Sequence, residues 1–232
     1  MSDVDGFVTE LERELREKKL TMLDAEILTA LEGKEATREQ IREWAKVFYA
    51  ATRHGRLSIG NFYANAPDDD ELRRELAENI YEEETGGISG VGMCHMDVFQ
   101  FLLDEFGISR EEAKRIPGPL GDRMPQGSPI PADEYYVALA TYGFSVEIPN
   151  AEWSERMAKA LRDNYGLSDR AVRWFTMHAA LDAGHGEEFR RHARKVAEQP
   201  GGLETLREKT LAFAQLVKNI WNGNGTWQKL AS

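Results

Sequence analysis

The sequence has almost no cysteine, and that scarcity excludes several classes of protein. Cys94 is the single cysteine in 232 residues, so no intramolecular disulfide can form and thiolates cannot build a structural zinc site. No apolar run approaches the ~18–20 residues that cross a bilayer. The charged N-terminal stretch is also unlike a signal peptide. We therefore expect a soluble cytoplasmic protein that does not associate with membranes.

Basic side chains are also in short supply. Twenty-nine Lys and Arg face forty Asp and Glu, which gives a net charge of −11 and argues against nucleic acid or an anionic membrane as a partner. Only five histidines are present. Any metal chemistry must therefore rely on imidazole and carboxylate ligands.

The alternating pattern of β-strands is missing, whereas helical periodicity runs through almost the whole chain. Capping-box patterns at Thr37 and Ser109 predict two helix starts. The prediction is a single all-α domain over residues 1–232 with about seven or eight main helices. The longer predicted helices span about 37–65, 67–85, 91–106, 132–146, 168–198 and 203–221. The helix at 132–146 is expected to be interrupted at Pro149 and to continue to about residue 165.

One long irregular loop breaks the helical pattern. Five of the eight prolines lie between Pro117 and Pro131, with glycines among them. A loop of this length is typical of a lid or wall over a site, and a plain surface excursion is the alternative.

The strongest local motif is His178-Ala-Ala-Leu-Asp182-Ala-Gly-His185. Side chains at i, i+4 and i+7 fall within about 60° of arc on a helix, so two imidazoles and a carboxylate share one face. These ligand types suit iron, manganese or zinc. The alternative is a charged surface helix that carries two unrelated histidines.

Three further polar residues lie on apolar helix faces. His95 shares the stripe of Val98 and Phe99, where a histidine without metal-binding function is the common alternative. Glu83 falls on the stripe of Leu72 and Leu76, which is costly for a carboxylate unless it is paired or metal-bound. Glu82 and Glu84 flank that stripe and remain alternatives to Glu83.

Glu147 shows the same anomaly near the end of its helix. The face that leads to it is small or aromatic and includes Gly143 and Phe144. A glycine inside a helix indicates close packing against a neighbour. We expect a kink at Pro149 to aim Glu147 inward, and a solvated helix-end glutamate is the alternative.

The remaining histidines and the cysteine carry no predicted role. His54 and His192 have charged neighbours, which indicates surface positions. Cys94 points about 100° away from His95 on a helix, so we interpret it as a small buried inert thiol.

These stretches resemble the heme-oxygenase-like di-metal oxidases and oxygenases, which are related to pyrroloquinoline-quinone synthase and the thiaminase II proteins. The matching segments are Asn79–Glu84 with Gly86-Gly87 and then His95, the stretch Phe144–Pro149, and the motif at 178–185; together they cover about residues 40–195. The resemblance implies a heme-oxygenase-like bundle. It also implies two irons bound by Glu83, His95, Glu147, His178, Asp182 and His185.

The resemblance further implies that a diferrous pair binds O₂ and forms a peroxo-diferric species that attacks a small metabolite. The expected substrate is amino-acid-derived or fatty-acid-like, and the expected outcome is desaturation, C–C cleavage or N-oxygenation in natural-product or cofactor biosynthesis. An external electron donor and a homodimer are expected at the level of the family. Tyr142 and Arg173 are candidates for holding a substrate carboxylate.

Three other functions remain open from the sequence. A metal-free enzyme on the same scaffold, either a cofactorless oxidase or a thiaminase-like hydrolase, is the main alternative. Heme oxygenase activity is disfavoured because no histidine precedes His54, where a proximal ligand on the first helix would be expected. A non-catalytic partner-binding protein would leave three inward-facing carboxylates unexplained.

Overall fold

The computed structural model describes residues 3–118, 128–181 and 186–223, and it is α-helical without strands within these ranges. Its helices are α1 (Val4–Glu17), α2 (Glu26–Glu32), α3 (Arg38–Asn65), α4 (Asp70–Thr85), α5 (His95–Glu105), α6 (Arg110–Lys114), α7 (Tyr135–Tyr142), α8 (Ile148–Tyr165), α9 (Arg173–Leu181), α10 (Gly186–Ala197) and α11 (Gly202–Trp221). A π-helical segment (Gly143–Glu147) joins α7 directly to α8. Setting aside the short α2 and α6, and counting α7 to α8 as one rod, eight main helices remain, as predicted. None of the described helices is long and apolar enough to span a membrane.

Local capping explains where α3 and α4 begin. Thr37 and Gln40 form the predicted reciprocal capping box at the start of α3. The predicted start of α4 at Pro67 is wrong, because the Asp69 carboxylate accepts the backbone N–H groups of Glu71 and Leu72 and caps the helix later. Gly86, in the left-handed conformation, ends α4 as predicted.

The expected interruption at Pro149 is also wrong. The Ile148 N–H donates to the carbonyl of Gly143, five residues back, so the helix widens into a π turn just before the proline ring. Proline follows directly as the second residue of α8, after the regular i−4 hydrogen-bond pattern, which a proline ring would disrupt, has already changed. The chain passes from α7 through Glu147 into α8 without a break.

Gly143 permits close helix packing, as its sequence context predicted. A Cβ at this position would lie 1.9 Å from the ring of Phe189 on α10. Phe189 is buried in a cluster with Phe144 and Val137. The π segment is therefore fixed directly against α10.

An aromatic core lies beside the site. Trp44 and Phe48 on α3 contact Trp153 on α8 and Phe175 on α9 at ring-centroid distances of 5.2–6.4 Å. Trp44 also donates its indole N–H to the carbonyl of Trp221 at 2.8 Å, which fixes the end of α11 against α3. Close packing of these rings holds α3, α8 and α9 in fixed positions.

The prediction that His192 lies on the surface is wrong. Its side chain is buried between the rings of Tyr136 and Phe189, and its Nε2 lies 3.6 Å from a carboxylate oxygen of Glu75 on α4. Burial and the neighbouring Arg191 charge lower the pKa of His192 to about 4. His192 is therefore a neutral core residue at neutral pH.

The Gly143→Ala variant should be less stable than wild type by about 1–3 kcal/mol, because its methyl group would overlap the buried Phe189 ring. Urea unfolding followed by circular dichroism measures the free energy of unfolding. Gly60→Ala on α3 is the matched control, since a Cβ there meets nothing within 4 Å. The control should be equal to or more stable than wild type, and an equally stable Gly143→Ala protein would contradict the packing argument.

His192 should make stability depend on pH between about 6.5 and 4. Its pKa is about 4 in the folded protein and near the ordinary 6.5 in the unfolded chain, so the unfolded state binds more protons in this window. Neutral His192 makes its full contribution to the free energy of unfolding above pH 6.5. As the pH falls from 6.5 to 4 this contribution is lost, and the total loss is on the order of 3 kcal/mol. In urea titrations across this range, the His192→Gln variant should show a shallower loss of stability than wild type. Parallel curves for the two proteins would refute this assignment.

Candidate metal site

Three predicted ligands from three helices meet at one point. Glu83 near the end of α4, His95 at the start of α5 and His178 on α9 each offer a ligand atom, and these atoms lie within 4.8 Å of one another. The His95 and His178 rings meet edge to face at a centroid distance of 4.9 Å. Both histidines are buried, and Glu83 is half-buried.

A tight glycine-rich loop brings His95 back onto α4. Gly86 has a positive φ, and a Cβ there would lie 2.6 Å from the carbonyl oxygen of Met93. The Gly92 N–H donates to the Gly86 carbonyl and closes the loop. Only glycine fits this approach, so α5 starts directly beside the last turn of α4.

Glu82 fixes both the loop and His95. One carboxylate oxygen accepts the backbone N–H groups of Ile88 and Ser89 at 2.7 and 3.0 Å. The other lies 3.0 Å from Nε2 of His95. Burial alone would raise the pKa of Glu82, but the Ser89, His95 and Ile88 hydrogen bonds lower it to about 2. Glu82 is therefore an anionic acceptor for the His95 Nε2–H.

This arrangement leaves the second nitrogen of His95 directed at Glu83. Nδ1 lies 3.1 Å from Oε1 of Glu83, yet it is buried and has no well-aligned hydrogen bond to the described part of the chain. Burial alone would lower the pKa of His95, but the two carboxylates raise it above its ordinary value. A cation bound at Nδ1 would satisfy both this nitrogen and Glu83.

His178 repeats the same arrangement on α9. Its Nδ1 lies 2.8 Å from the carbonyl oxygen of Trp174, which accepts a hydrogen bond from it, and its ring contacts the indole of Trp174 at a centroid distance of 3.8 Å and a tilt of 31°. Its Nε2 lies 4.0 Å from Glu83 Oε1. Burial lowers the pKa of His178, so the imidazole is in the neutral form that metals bind. In both histidines one nitrogen is anchored and the other faces Glu83, as is usual for metal-ligating histidines.

Glu147 faces the same cavity. This cavity has a volume of about 270 Å³ and is lined by Glu83, His95, His178 and Glu147 among others. Glu147 is the last residue of the π segment, and its charge acts on His178. The π turn therefore places a fourth predicted ligand at the cavity. Such π-helical segments often occur at functional sites. Asp182 and His185 lie outside the described residues.

Of the two predicted substrate-binding residues, the structure places one at the site. Tyr142, the last residue of α7, lines the cavity. Arg173 is exposed at the start of α9 and is not among the cavity-lining residues, because this residue lies on the solvent side of its helix. Arg56 on α3, which the sequence analysis missed, lines the cavity instead and donates to Glu84 at 2.7 Å.

Two other residues also differ from expectation. His54 is half-buried rather than on the surface, with its Nδ1 2.7 Å from the carbonyl oxygen of Ala50. Cys94 is half-buried rather than buried, because it is the residue that precedes α5 rather than part of the helix. Its sulfur lies 3.7 Å from Nη1 of Arg56.

The residues in this cluster fit a bound transition metal. Imidazole and carboxylate donors suit iron, manganese or zinc, and the buried Nδ1 of His95 gains its missing partner from such an ion. The half-buried Glu83 carboxylate would also gain a compensating charge. The described residues thus provide a three-ligand site with Glu147 beside it.

Comparisons with known proteins relate the chain to iron-containing enzymes. The family model for iron-containing redox enzymes matches residues 42–218. The chain is similar to the 4-aminobenzoate synthase of Chlamydia pneumoniae, with 24% identity over 195 residues that cover 82% of this chain and 81% of the relative.

A solved structure supports the fold that the sequence analysis expected. A domain of unknown function with a heme oxygenase-like fold from Shewanella denitrificans superposes with a TM-score of 0.69 at 16% identity, covering 97% of this chain and 93% of that one. This similarity confirms the all-α, heme-oxygenase-like fold, and the family match covers most of the chain. The protein therefore belongs to the family of iron-containing redox enzymes with a heme-oxygenase-like fold.

Proposed function

We propose that the protein is a non-heme di-iron oxidase or oxygenase that uses O₂ to modify a small metabolite in cofactor or natural-product biosynthesis. The observation that carries this proposal is the buried cluster of Glu83, His95 and His178, in which each histidine keeps one nitrogen free toward the carboxylate. The similarity to a 4-aminobenzoate synthase supports a role in making a small biosynthetic product. Tyr142 is the proposed substrate contact within this cavity.

In this proposal Glu83, His95 and His178 hold one iron, and Glu147, Asp182 and His185 complete the pair. Two irons would supply O₂ activation at positions that the protein leaves open. The chain's own contribution is to fix the ligands: Glu82 holds the His95 Nε2–H, and the Trp174 carbonyl holds His178. The aromatic core beside Trp174 keeps water from that side of the site.

The metal content tests the proposal directly. Protein purified anaerobically and given Fe(II) should bind about two irons per chain after desalting. Glu83→Gln and His178→Ala should each lose at least one of them, because a buried cluster that lacks one ligand cannot complete the coordination. His192→Gln is the matched control, since His192 is also buried but lies outside the cluster.

Wild-type iron content in the His178→Ala variant, or less than one iron per chain in wild type, would contradict the proposal. The second result would favour a metal-free enzyme on the same fold. Oxygen consumption by the reduced, iron-loaded protein separates the two functions further, because only the di-iron enzyme should lose it after chelation.

Glu82 should tune iron affinity without being a ligand. In Glu82→Gln, the amide oxygen can still accept the Ile88 and Ser89 N–H groups, and the NH₂ group then faces Nε2 of His95. His95 would have to accept at Nε2 and carry its proton on Nδ1, the nitrogen assigned to iron. Iron affinity should fall roughly 10–100-fold while stoichiometry at saturation is unchanged.

Competition with a chromophoric chelator measures this affinity. Glu84→Gln is the control, because Glu84 is the exposed neighbour on the same helix and pairs with Arg56 instead. Equal affinities for the Glu82 and Glu84 variants would show that Glu82 does not orient His95.

A further inference from the structure

Four of the five tryptophans lie together in the core beside the metal site. These residues, here called the tryptophan cluster, are Trp44 on α3, Trp153 on α8, Trp174 on α9 and Trp221 at the end of α11. The Phe48 ring lies at their centre and contacts each of them at centroid distances of 4.9–5.5 Å. Trp153 also contacts Trp44 and Trp221 directly, at 6.4 and 6.2 Å.

One end of the tryptophan cluster touches a proposed metal ligand. The Trp174 indole contacts the His178 ring at a centroid distance of 3.8 Å and lines the metal cavity. Indole is among the most easily oxidised side chains, and electron transfer becomes faster as two redox groups approach each other. Trp174 is therefore well placed to give an electron to a metal bound at His178.

The other end of the tryptophan cluster reaches a second, larger cavity. This cavity has a volume of about 620 Å³, and its lining is mostly apolar. The residues that line both cavities are Gly55, Tyr142, Val146 and Trp221. Trp221 is half-buried, whereas Trp44 and Trp153 are fully enclosed by other side chains. Trp221 is therefore the ring that a small molecule can approach from the apolar cavity.

The surroundings of the indole nitrogens favour retention of their protons. The Trp44 N–H donates to the backbone carbonyl of Trp221 at 2.8 Å. The N–H groups of Trp153 and Trp221 are buried and have no hydrogen-bond partner among the described residues. An oxidised indole loses this proton readily only to a base, and a backbone carbonyl is a poor one. A ring that has lost one electron therefore stays a radical cation, and it can regain the electron without any proton transfer.

We propose that the tryptophan cluster is an electron relay between the metal site and a small one-electron reductant at Trp221. Its use at the metal rests on the proposed function, in which O₂ makes the metal site a strong oxidant. Trp174 gives one electron to the metal site and becomes a radical cation. Trp221 then gives one electron to Trp174 through Phe48, and a reductant such as ascorbate restores Trp221. No bond in the protein forms or breaks, and an oxidising equivalent that no substrate has consumed leaves the site.

Photo-oxidation of the iron-free protein tests the relay without a metal. The parent protein is Trp227→Phe, in which the tryptophan cluster contains all remaining tryptophans. A laser flash with tris(bipyridine)ruthenium(II) and persulfate generates a Ru(III) oxidant, and transient absorption should then show a tryptophan radical cation. Adding Trp221→Phe should slow its formation at least about tenfold, because the half-buried entry ring is missing.

The matched control for this assay is Tyr135→Phe, which removes a buried oxidisable ring outside the tryptophan cluster. This variant should form the radical cation like the parent, and circular dichroism should show that all variants are folded. The relay is overturned if the parent forms no tryptophan radical cation, or if the Trp221 variant forms it at the parent's rate.

Electron paramagnetic resonance tests the metal end. Reduced, iron-loaded parent that is mixed with O₂ without substrate and then frozen should show an organic radical, whose signal narrows when tryptophan is ring-deuterated. Trp174→Phe should lose most of this signal yet bind iron like the parent, because the backbone carbonyl that anchors His178 remains. Ascorbate should shorten the radical's lifetime in the parent and have less effect in the Trp221 variant. An undiminished signal in Trp174→Phe would show that Trp174 is not the first donor.

The two assays distinguish this proposal from the proposed function. A parent protein that binds two irons but forms no tryptophan radical in either assay would refute the relay alone. A parent protein that forms the radical cation in the light assay but binds less than one iron per chain would refute the proposed function alone.

Discussion

The contact of one imidazole with two adjacent glutamates on α4 determines how the site is built. His95 lies between Glu82 and Glu83, with 3.0 Å from Nε2 to the first and 3.1 Å from Nδ1 to the second. Consecutive helix residues diverge by about 100°, so both can reach one ring only if that ring lies between their directions. The loop from Gly86 to Gly92 has to fold tightly for this reason, and Glu82 itself binds the loop amides that make the fold possible.

The other side of the site depends on the π segment between α7 and α8. The extra residue in its turn changes the direction in which Glu147 leaves the helix, and Gly143 in the same segment packs against Phe189 on α10. α10 in turn buries His192 beside Glu75 of α4, the helix that carries Glu83. The position of Glu147 is thereby connected, through α10, to the helix that presents the carboxylate opposite it.

Sequence reasoning found the residues whose signal lies within one helix. His95, Glu83 and His178 contradict the apolar or small-residue pattern of their own helices, and the structure brings them together. His192 was misplaced because its neighbours in sequence are arginines, whose long side chains reach the surface from a buried stem, as Arg191 does toward Glu75. Glu82 was considered only as an alternative to Glu83, and Arg56 was missed, because their partners come from a loop and another helix, which periodicity along one helix cannot indicate.

Two helical glycines show why candidate metal ligands are easier to predict than the shape of the space beside them. Gly143 has no side chain because the Phe189 ring occupies that space, whereas at Gly55 the space is empty and lies between two cavities. Both look alike in sequence, as a helix-breaking residue inside a helix. A carboxylate on an apolar helix face can be recognised in the sequence, because burying it without a partner is costly. An empty volume has no such sequence pattern, because it depends on how the surrounding helices pack together. The candidate ligands are therefore indicated by local sequence, whereas the shape of the cavities beside them depends on how α3, α7 and α11 pack.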